Sequence, residues 1–233
     1  MTSAREALTL AKALLRGGER REAAAAKILR PENLFQPYTT TAWDRYPEEF
    51  AFVRAAAGDR IERILSFGCS SGDELLTLRE YFPQARIHGI DVNPLAVRTA
   101  RKRLRAAGAS SVTVARGGDA SSQTPASYDL VLALAVFRHG DLNAAPARCD
   151  AVLRFADFER TVAGLAACVR PGGLLVLRHA NFRFTDCAVA SSFEALRTGF
   201  ASVGAKGAVT PVYGSDDCLV GLTGRDDGIY RRI

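Results

Sequence analysis

The spacing of hydrophobic residues changes character near residue 61. Before it, residues 2 to about 29 repeat Ala and Leu at helical intervals, and Gly17-Gly18 breaks that run into two short helices, the second ending near Pro31. Residues 31–48 hold Pro31, Pro37 and Pro47, the run Thr39-Thr40-Thr41 and the only tryptophan, Trp43, which predicts an irregular segment rich in aromatic groups. After residue 61, short apolar runs alternate with amphipathic stretches. The runs predict strands at 62–67, 86–91, 111–116, 128–135, 173–178 and 217–223, and the stretches predict helices at 72–81, 94–107, 151–169 and 189–199. Strands alternating with helices build βαβ units around a parallel sheet. Pro171-Gly172-Gly173 stops a helix and turns the chain directly into an apolar strand. The resulting division is a helical and irregular preface over 1–48 and an α/β domain over 49–233.

Composition narrows the function classes. With 233 residues, 48% of them hydrophobic and 24% charged, the chain is long and apolar enough to bury a core, which excludes a disordered tail. No run approaches the roughly 20 apolar residues that cross a bilayer, and the first residues lack the basic start, apolar run and cleavage site of a leader, so the expected location is cytoplasmic. Cys69, Cys149, Cys168, Cys187 and Cys218 are scattered and odd in number, so neither a zinc site nor a disulfide framework is indicated. The three histidines are far apart in sequence, and no metal is expected. A net charge of +6, mostly from arginine, allows an anionic substrate or nucleic acid but is also the ordinary result of an Ala/Arg-rich composition. The run Arg98 to Arg105 has no interleaved aromatic residues to stack bases and reads as a solvated helix face.

The candidate chemistry lies where predicted strands end. The first strand runs into Gly68-Cys69-Ser70-Ser71-Gly72 and then a helix, and small residues at the carboxyl end of a parallel strand let a ligand approach backbone N–H groups at a helix N-terminus. The second strand closes on Asp91, nineteen positions after Gly72, where a carboxylate can accept from both hydroxyls of a ribose. His139 follows the fourth strand beside Arg138, which suits an acceptor carboxylate, and His179 follows the fifth beside Asn181 and Arg183. Either histidine suits a general base, and His139 is the candidate catalytic residue.

These residues carry a resemblance. From about residue 33 onward the chain resembles the class I S-adenosylmethionine-dependent methyltransferases. Gly68 to Glu74 is similar to the first motif as it occurs in chemotaxis-receptor methyltransferases, Asp91 to the ribose-binding acid, Gly118-Asp119-Ala120 to the motif beside the adenine, Tyr128 to Val136 to the fourth strand, and Val169 to Val176 to the fifth. The resemblance implies an α/β, Rossmann-like, doubly wound, mostly parallel seven-stranded sheet with helices on both faces. It also implies S-adenosylmethionine as cofactor, held by Gly68, Cys69, Ser70, Gly72, Asp91, Val92, Asn93, Asp119, Ala120 and Leu134. It further implies a lid role for the N-terminal segment containing Tyr38, Trp43 and Tyr46.

Competing readings remain. Gly68-Cys69-Ser70-Ser71-Gly72 also fits G-x-S-x-G, which would make Ser70 a hydrolase nucleophile, although no strands precede it and Asp91 and Asp119 would go unexplained. A nicotinamide dehydrogenase is disfavoured by the missing G-x-G-x-x-G. A non-catalytic cofactor-binding module is the alternative from another class. Within methyltransferases, Ala133-Leu134-Ala135-Val136 lacks the Pro-Pro-aromatic sequence of enzymes acting on base amino groups, and the Pro-Cys pair of cytosine-C5 enzymes is absent. A small-molecule acceptor, or second to it a protein, is therefore expected ahead of a base amino group, with ribose and other RNA sites still open. A glutamyl acceptor is not supported, because the helical domain and sheet insertion of the receptor enzymes are not recognisable.

Overall fold

The computed structural model describes residues 18–29, 31–38, 41–200 and 210–233, together with Thr9, Ala11, Lys12 and Leu15. Most of the first expected N-terminal helix, and Thr39-Thr40, lie outside the described residues. The second N-terminal helix is α1 (Gly18–Leu29). There follow α2 (Pro47–Ala57), β1 (Arg63–Phe67), α3 (Asp73–Tyr81), β2 (Arg86–Asp91), α4 (Pro94–Ala106), β3 (Val112–Arg116), β4 (Tyr128–Leu134), α5 (Phe155–Cys168) and β5 (Val169–Arg178). The chain ends in β6 (Phe193–Thr198), β7 (Val212–Tyr213), β8 (Leu219–Gly221) and β9 (Gly228–Arg232).

Seven strands form one sheet in the order β3-β2-β1-β4-β5-β9-β6. The pairs from β3 to β5 are parallel, and β9 runs antiparallel between β5 and β6. Alternation along the central strands assigns side chains to two layers, because successive residues of a strand face opposite sides. Leu65 and Phe67, Val131 and Ala133, and Leu175 and Leu177 enter the core shared with Phe158, Val162 and Leu165 of α5. Ile64, Leu130, Leu132, Leu174 and Val176 enter the opposite core with Phe50 of α2, Leu75 and Leu78 of α3, and Val97 and Leu104 of α4. Helices thus cover both faces, as buried strands with near-continuous apolar sequence require.

Four expectations need correction. Residues 189–199 are not helical: a short 3-10 turn, Ala188–Ser192, leads into edge strand β6, where Phe193 packs edge-on against Phe184 at 5.6 Å. The helix-forming Glu, Ala, Leu and Arg of that segment yield to tertiary pairing with β9. The strand expected at 217–223 shrinks to Leu219–Gly221, which pairs with β7 in a separate two-stranded sheet, and Val220 and Leu222 stay half exposed. The strand of the main sheet is instead β9, whose Gly228, Ile229 and Tyr230 are buried. The helix expected from 151 begins at Phe155, where Asp217 Oδ1 accepts the Phe155 N–H at 2.7 Å and supplies a cap from a distant part of the chain. Strand β5 starts at Val169 and absorbs Pro171-Gly172-Gly173, with Gly172 at φ +75° and a register shift opposite β4. Helix α2 carries no clear periodic signal and was not expected; Pro47 sits in its first turn, where a proline costs no hydrogen bond.

Candidate cofactor and acceptor site

The sheet reverses its winding between β1 and β4, and ligands of open α/β sheets bind beyond the strand ends at such a point. A cleft of about 890 Å³, counting its open mouth, lies there. Its floor comes from Phe67 to Ser70 after β1, Asp91 to Asn93 after β2, and Leu134 to Val136 after β4, and its roof from residues within Asn33 to Tyr38 and Thr41 to Tyr46.

The turn after β1 is knitted to β2 by main-chain bonds, with the Gly68 and Cys69 N–H groups donating to Ile90 O at 2.7 and 3.1 Å. Gly68 is at φ +77°, and a Cβ there would run into the Val136 side chain. Gly68→Ala is expected to force both a left-handed alanine and a displaced Val136, costing about 1–3 kcal/mol; thermal unfolding measures it, and an unchanged midpoint would refute the crowding argument. Ser70 follows at φ +48°, its N–H donating to Asp91 Oδ2 at 2.8 Å. Asp91 Oδ1 accepts the Asn93 N–H at 2.8 Å. Each carboxylate oxygen thus takes one backbone donor and keeps a lone pair for another. Burial pushes the Asp91 carboxyl above its ordinary range, and the Asn93 and Ser70 N–H bonds oppose that shift.

The expected residues divide. Gly68, Cys69, Ser70, Asp91, Val92, Asn93 and Leu134 meet at the cleft. Gly72 does not line it; at φ +92° it lets α3 approach Ala100 of α4, to which an added Cβ would come within 3.1 Å. Cys69 is buried, and burial raises its thiol well above the ordinary value, so it is an inert packing group. The Asn93 side chain is occupied, accepting from Leu95 N as the cap of α4 and donating to Glu22 O of α1, so it borders the cleft without offering a free side-chain donor to a ligand. After β3, Gly117 reaches the cleft, whereas Asp119 closes a local turn on Ser121 N and Ala120 packs in the core beneath α5.

His139 also stands off the cleft lining. It heads a short 3-10 turn, and its Nδ1 accepts the Asp141 N–H at 3.2 Å, so the neutral ring carries its proton on Nε2 and presents a donor rather than a base. Burial lowers its pKa, while Asp141 opposes that shift. Two groups that sequence reasoning did not assign to catalysis or cofactor binding are better placed. Glu74, in the first turn of α3, lines the cleft, accepts from Ser66 Oγ at 2.7 Å, and is pushed up to about 7 by burial. Tyr46 lines it from the roof beside Arg45. Glu74 was visible only as part of the glycine motif; nothing in the sequence marked Tyr46 as more than a lid aromatic. Two arginines of the basic run serve the fold: Arg103 pairs with Asp73 at 2.6 Å, and Arg101 bonds Val114 O.

Among the described residues, no cluster of three or more His, Cys, Asp or Glu groups is arranged to hold a metal ion, and no helix is long and apolar enough to cross a membrane. No curated protein matches the chain. Solved structures similar to it include the amino pentose methyltransferase CalS10 of Micromonospora echinaspora, bound to S-adenosylmethionine, at 25% identity, TM-score 0.44, 59% of this chain and 50% of that one. A methyltransferase of Thiobacillus denitrificans in complex with S-adenosylhomocysteine is also 25% identical, at TM-score 0.38 over 56% of this chain and 47% of that one. The aligned part spans about half the length of these proteins. The likeness of the first motif to chemotaxis-receptor methyltransferases stands on those residues alone. Residues 65–175, just under half of the chain, match the family model for a methyltransferase domain. That match falls on the stretch from β1 to β5 that builds the floor of the cleft, so the chain carries a methyltransferase domain there.

Proposed function

We propose that this chain transfers the methyl group of S-adenosylmethionine to a small-molecule acceptor by in-line displacement. The observation that carries the reading is the Asp91 carboxylate, fixed by two backbone N–H groups and open to the same cleft as the Gly68 to Ser70 turn. When bound, the cofactor supplies an electrophilic methyl on sulfur, so the work of the protein is placement and exclusion of water rather than covalent participation.

In this reading Asp91 accepts from the two ribose hydroxyls. The backbone of Gly68, Cys69 and Ser70 borders the nucleoside, with Val92 and Asn93 alongside. Gly117 bounds the adenine end with Asp119 and Ala120 beyond it, and Leu134 faces the methyl end. Gly72 acts by setting α3 against α4. Glu74 holds the cofactor ammonium. The segment from Asn33 to Tyr46 closes the site as a lid, and a roofed cleft suits a small acceptor better than a long RNA chain.

Calorimetric titration with S-adenosylmethionine and S-adenosylhomocysteine tests the cofactor assignment: saturable binding is expected, and a folded protein that binds neither would sink it. Turnover of radiolabelled methyl donor then separates an enzyme from a non-catalytic binding module. Glu74 adds a pH signature. A carboxyl titrating at about 7 is mostly neutral at pH 6 and mostly ionised at pH 8, so its charged form gains about tenfold in population. The affinity for S-adenosylhomocysteine should rise by about that factor over this interval, while that for 5′-methylthioadenosine, which lacks the amine, stays level. Glu74→Gln should abolish the rise; a rise that persists would assign it to another group.

A further inference from the structure

Near the ends of β4 and β5, three buried donors lack an acceptor among the described residues: the Tyr46 hydroxyl, Arg138 Nε and His179 Nε2. Tyr46 is 5% exposed and His179 3%. Their rings lie 5.8 Å apart, and Arg138 is near Tyr46 and close enough to Arg225 and Asp227 to feel their charge. The tautomer of His179 follows from its neighbour. Arg225 Nη1 is 3.3 Å from His179 Nδ1, and a guanidinium only donates, so Nδ1 accepts and the proton resides on Nε2. Burial and the surrounding arginines push this histidine down to about 3, which keeps it neutral and a donor at that nitrogen. Arg138 has its Nη2 on Asn143 Oδ1 at 3.1 Å and pairs with no carboxylate among the described residues.

An unmet buried donor is costly, and three together ask for an acceptor. The local charge specifies its kind. Arg45, Arg138, Arg178 and Arg225 bear on His179, while the carboxylates bearing on Tyr46 and Arg138 are Glu49, Glu74 and Asp227, an excess of one positive charge. The backbone is also held under strain here. His179 sits at φ +52°, in the left-handed region, and is kept there by its N–H donating to Asp227 Oδ2 at 2.7 Å. Strain maintained against an ordinary preference is characteristic of binding sites.

Resting on the methyltransferase reading, we propose that Tyr46, Arg138 and His179 form a subsite for a carboxylate carried by the methyl acceptor, which is therefore a small carboxylic acid bound in its ionised form. Arg138 follows β4, His179 follows β5 and Tyr46 precedes α2; Tyr46 lines the cleft, and the other two stand behind its lining. The cleft beside them is lined by Phe35, Tyr38 and Phe67, which suits an acid with a planar apolar body.

The probes are benzoate and its uncharged analogue benzamide, titrated by calorimetry into the full chain with and without saturating S-adenosylhomocysteine. Benzoate should bind at least tenfold more tightly than benzamide. Arg138→Gln and, with less risk to folding, Tyr46→Phe should each reduce that preference about tenfold, the effect of losing one hydrogen bond to a charged group, and Arg138→Gln should leave S-adenosylhomocysteine binding unchanged. Equal binding of the two probes, or none, would overturn the subsite even if the cofactor binds. The methionine carboxylate of the cofactor is the other source of the same chemistry. If Tyr46→Phe weakens S-adenosylhomocysteine but not 5′-methylthioadenosine, the groups serve the cofactor and the proposal falls. Failure of S-adenosylhomocysteine to bind at all would sink the methyltransferase reading, and the benzoate preference without it would then still decide the anion subsite.

Discussion

Asp91→Ala protein is expected to bind S-adenosylhomocysteine at least a hundredfold more weakly than the parent chain. Two ribose hydroxyls donating to an ionised carboxylate contribute about 1.5–3 kcal/mol each, and alanine removes both. The substitution has a second effect that must be separated from the first. Asp91 also accepts the Ser70 and Asn93 N–H groups, so alanine leaves two donors of the binding turn without their acceptor. Some affinity is then lost through a loosened turn. Asp91→Asn supplies the control: its amide oxygen keeps one acceptor and the side-chain volume. It should melt closer to the parent than the alanine variant does, yet bind S-adenosylhomocysteine markedly more weakly than the parent. An asparagine variant with parental affinity would show that the carboxylate serves only the turn. Calorimetry at a temperature where all three proteins are folded decides between these outcomes.

The legibility of this carboxylate in the sequence has a physical reason. A residue at the end of a parallel strand has its position fixed by the ladder, so the interval from the glycine turn to Asp91 translates directly into space, and the register Phe67 beside Ile90 sets the two loops side by side. The same holds for Gly68, Ser70 and Leu134. Asp119 shows where this logic weakens: it lies beyond the end of β3 in a loop, and its own turn on Ser121 decides where its carboxylate points. The cluster of buried donors was legible only in fragments. Arg138 and His179 could be placed at the ends of two strands, but their company could not, because Tyr46 arrives from an irregular segment, Glu49 from an unmarked helix, and Arg225 and Asp227 from a strand entry displaced from where the apolar run at 217–223 suggested. Pairing order at the antiparallel edge is a tertiary property, and the helix-forming composition of Phe193–Thr198 concealed it.

Asp227→Ala should be the most destabilising single change at the site. Arg178 is the largest fully buried side chain among the described residues, 1% exposed, and it pairs with Glu49 and with Asp227 at 3.3 Å. Asp227 also accepts the main-chain N–H groups of His179 at 2.7 Å and Ala180 at 3.4 Å, and approaches Arg225 at 3.5 Å. Removing one member of a buried ion pair costs about 3–5 kcal/mol because the remaining charge keeps its desolvation penalty. For a chain of this size that corresponds to a midpoint lowered by about 6–20 °C. Charge is not the whole of the effect. Burial holds the Asp227 carboxyl above its ordinary range despite the Arg225 and Arg178 charges and the His179 N–H, so its ionised form is disfavoured overall. With the sign worked out, a raised carboxyl favours the folded state below the unfolded pKa and loses that contribution as pH rises through the folded value. The parent should therefore lose part of its stability on going from acidic pH toward neutrality, and Asp227→Asn, which cannot titrate, should lose less over the same interval. Asparagine also keeps an acceptor for the His179 N–H and fills the same volume, so it should cost less than alanine at neutral pH. If thermal unfolding finds the two variants equally unstable, then charge neutralisation of Arg178, rather than support of the strained His179 backbone, is what Asp227 supplies.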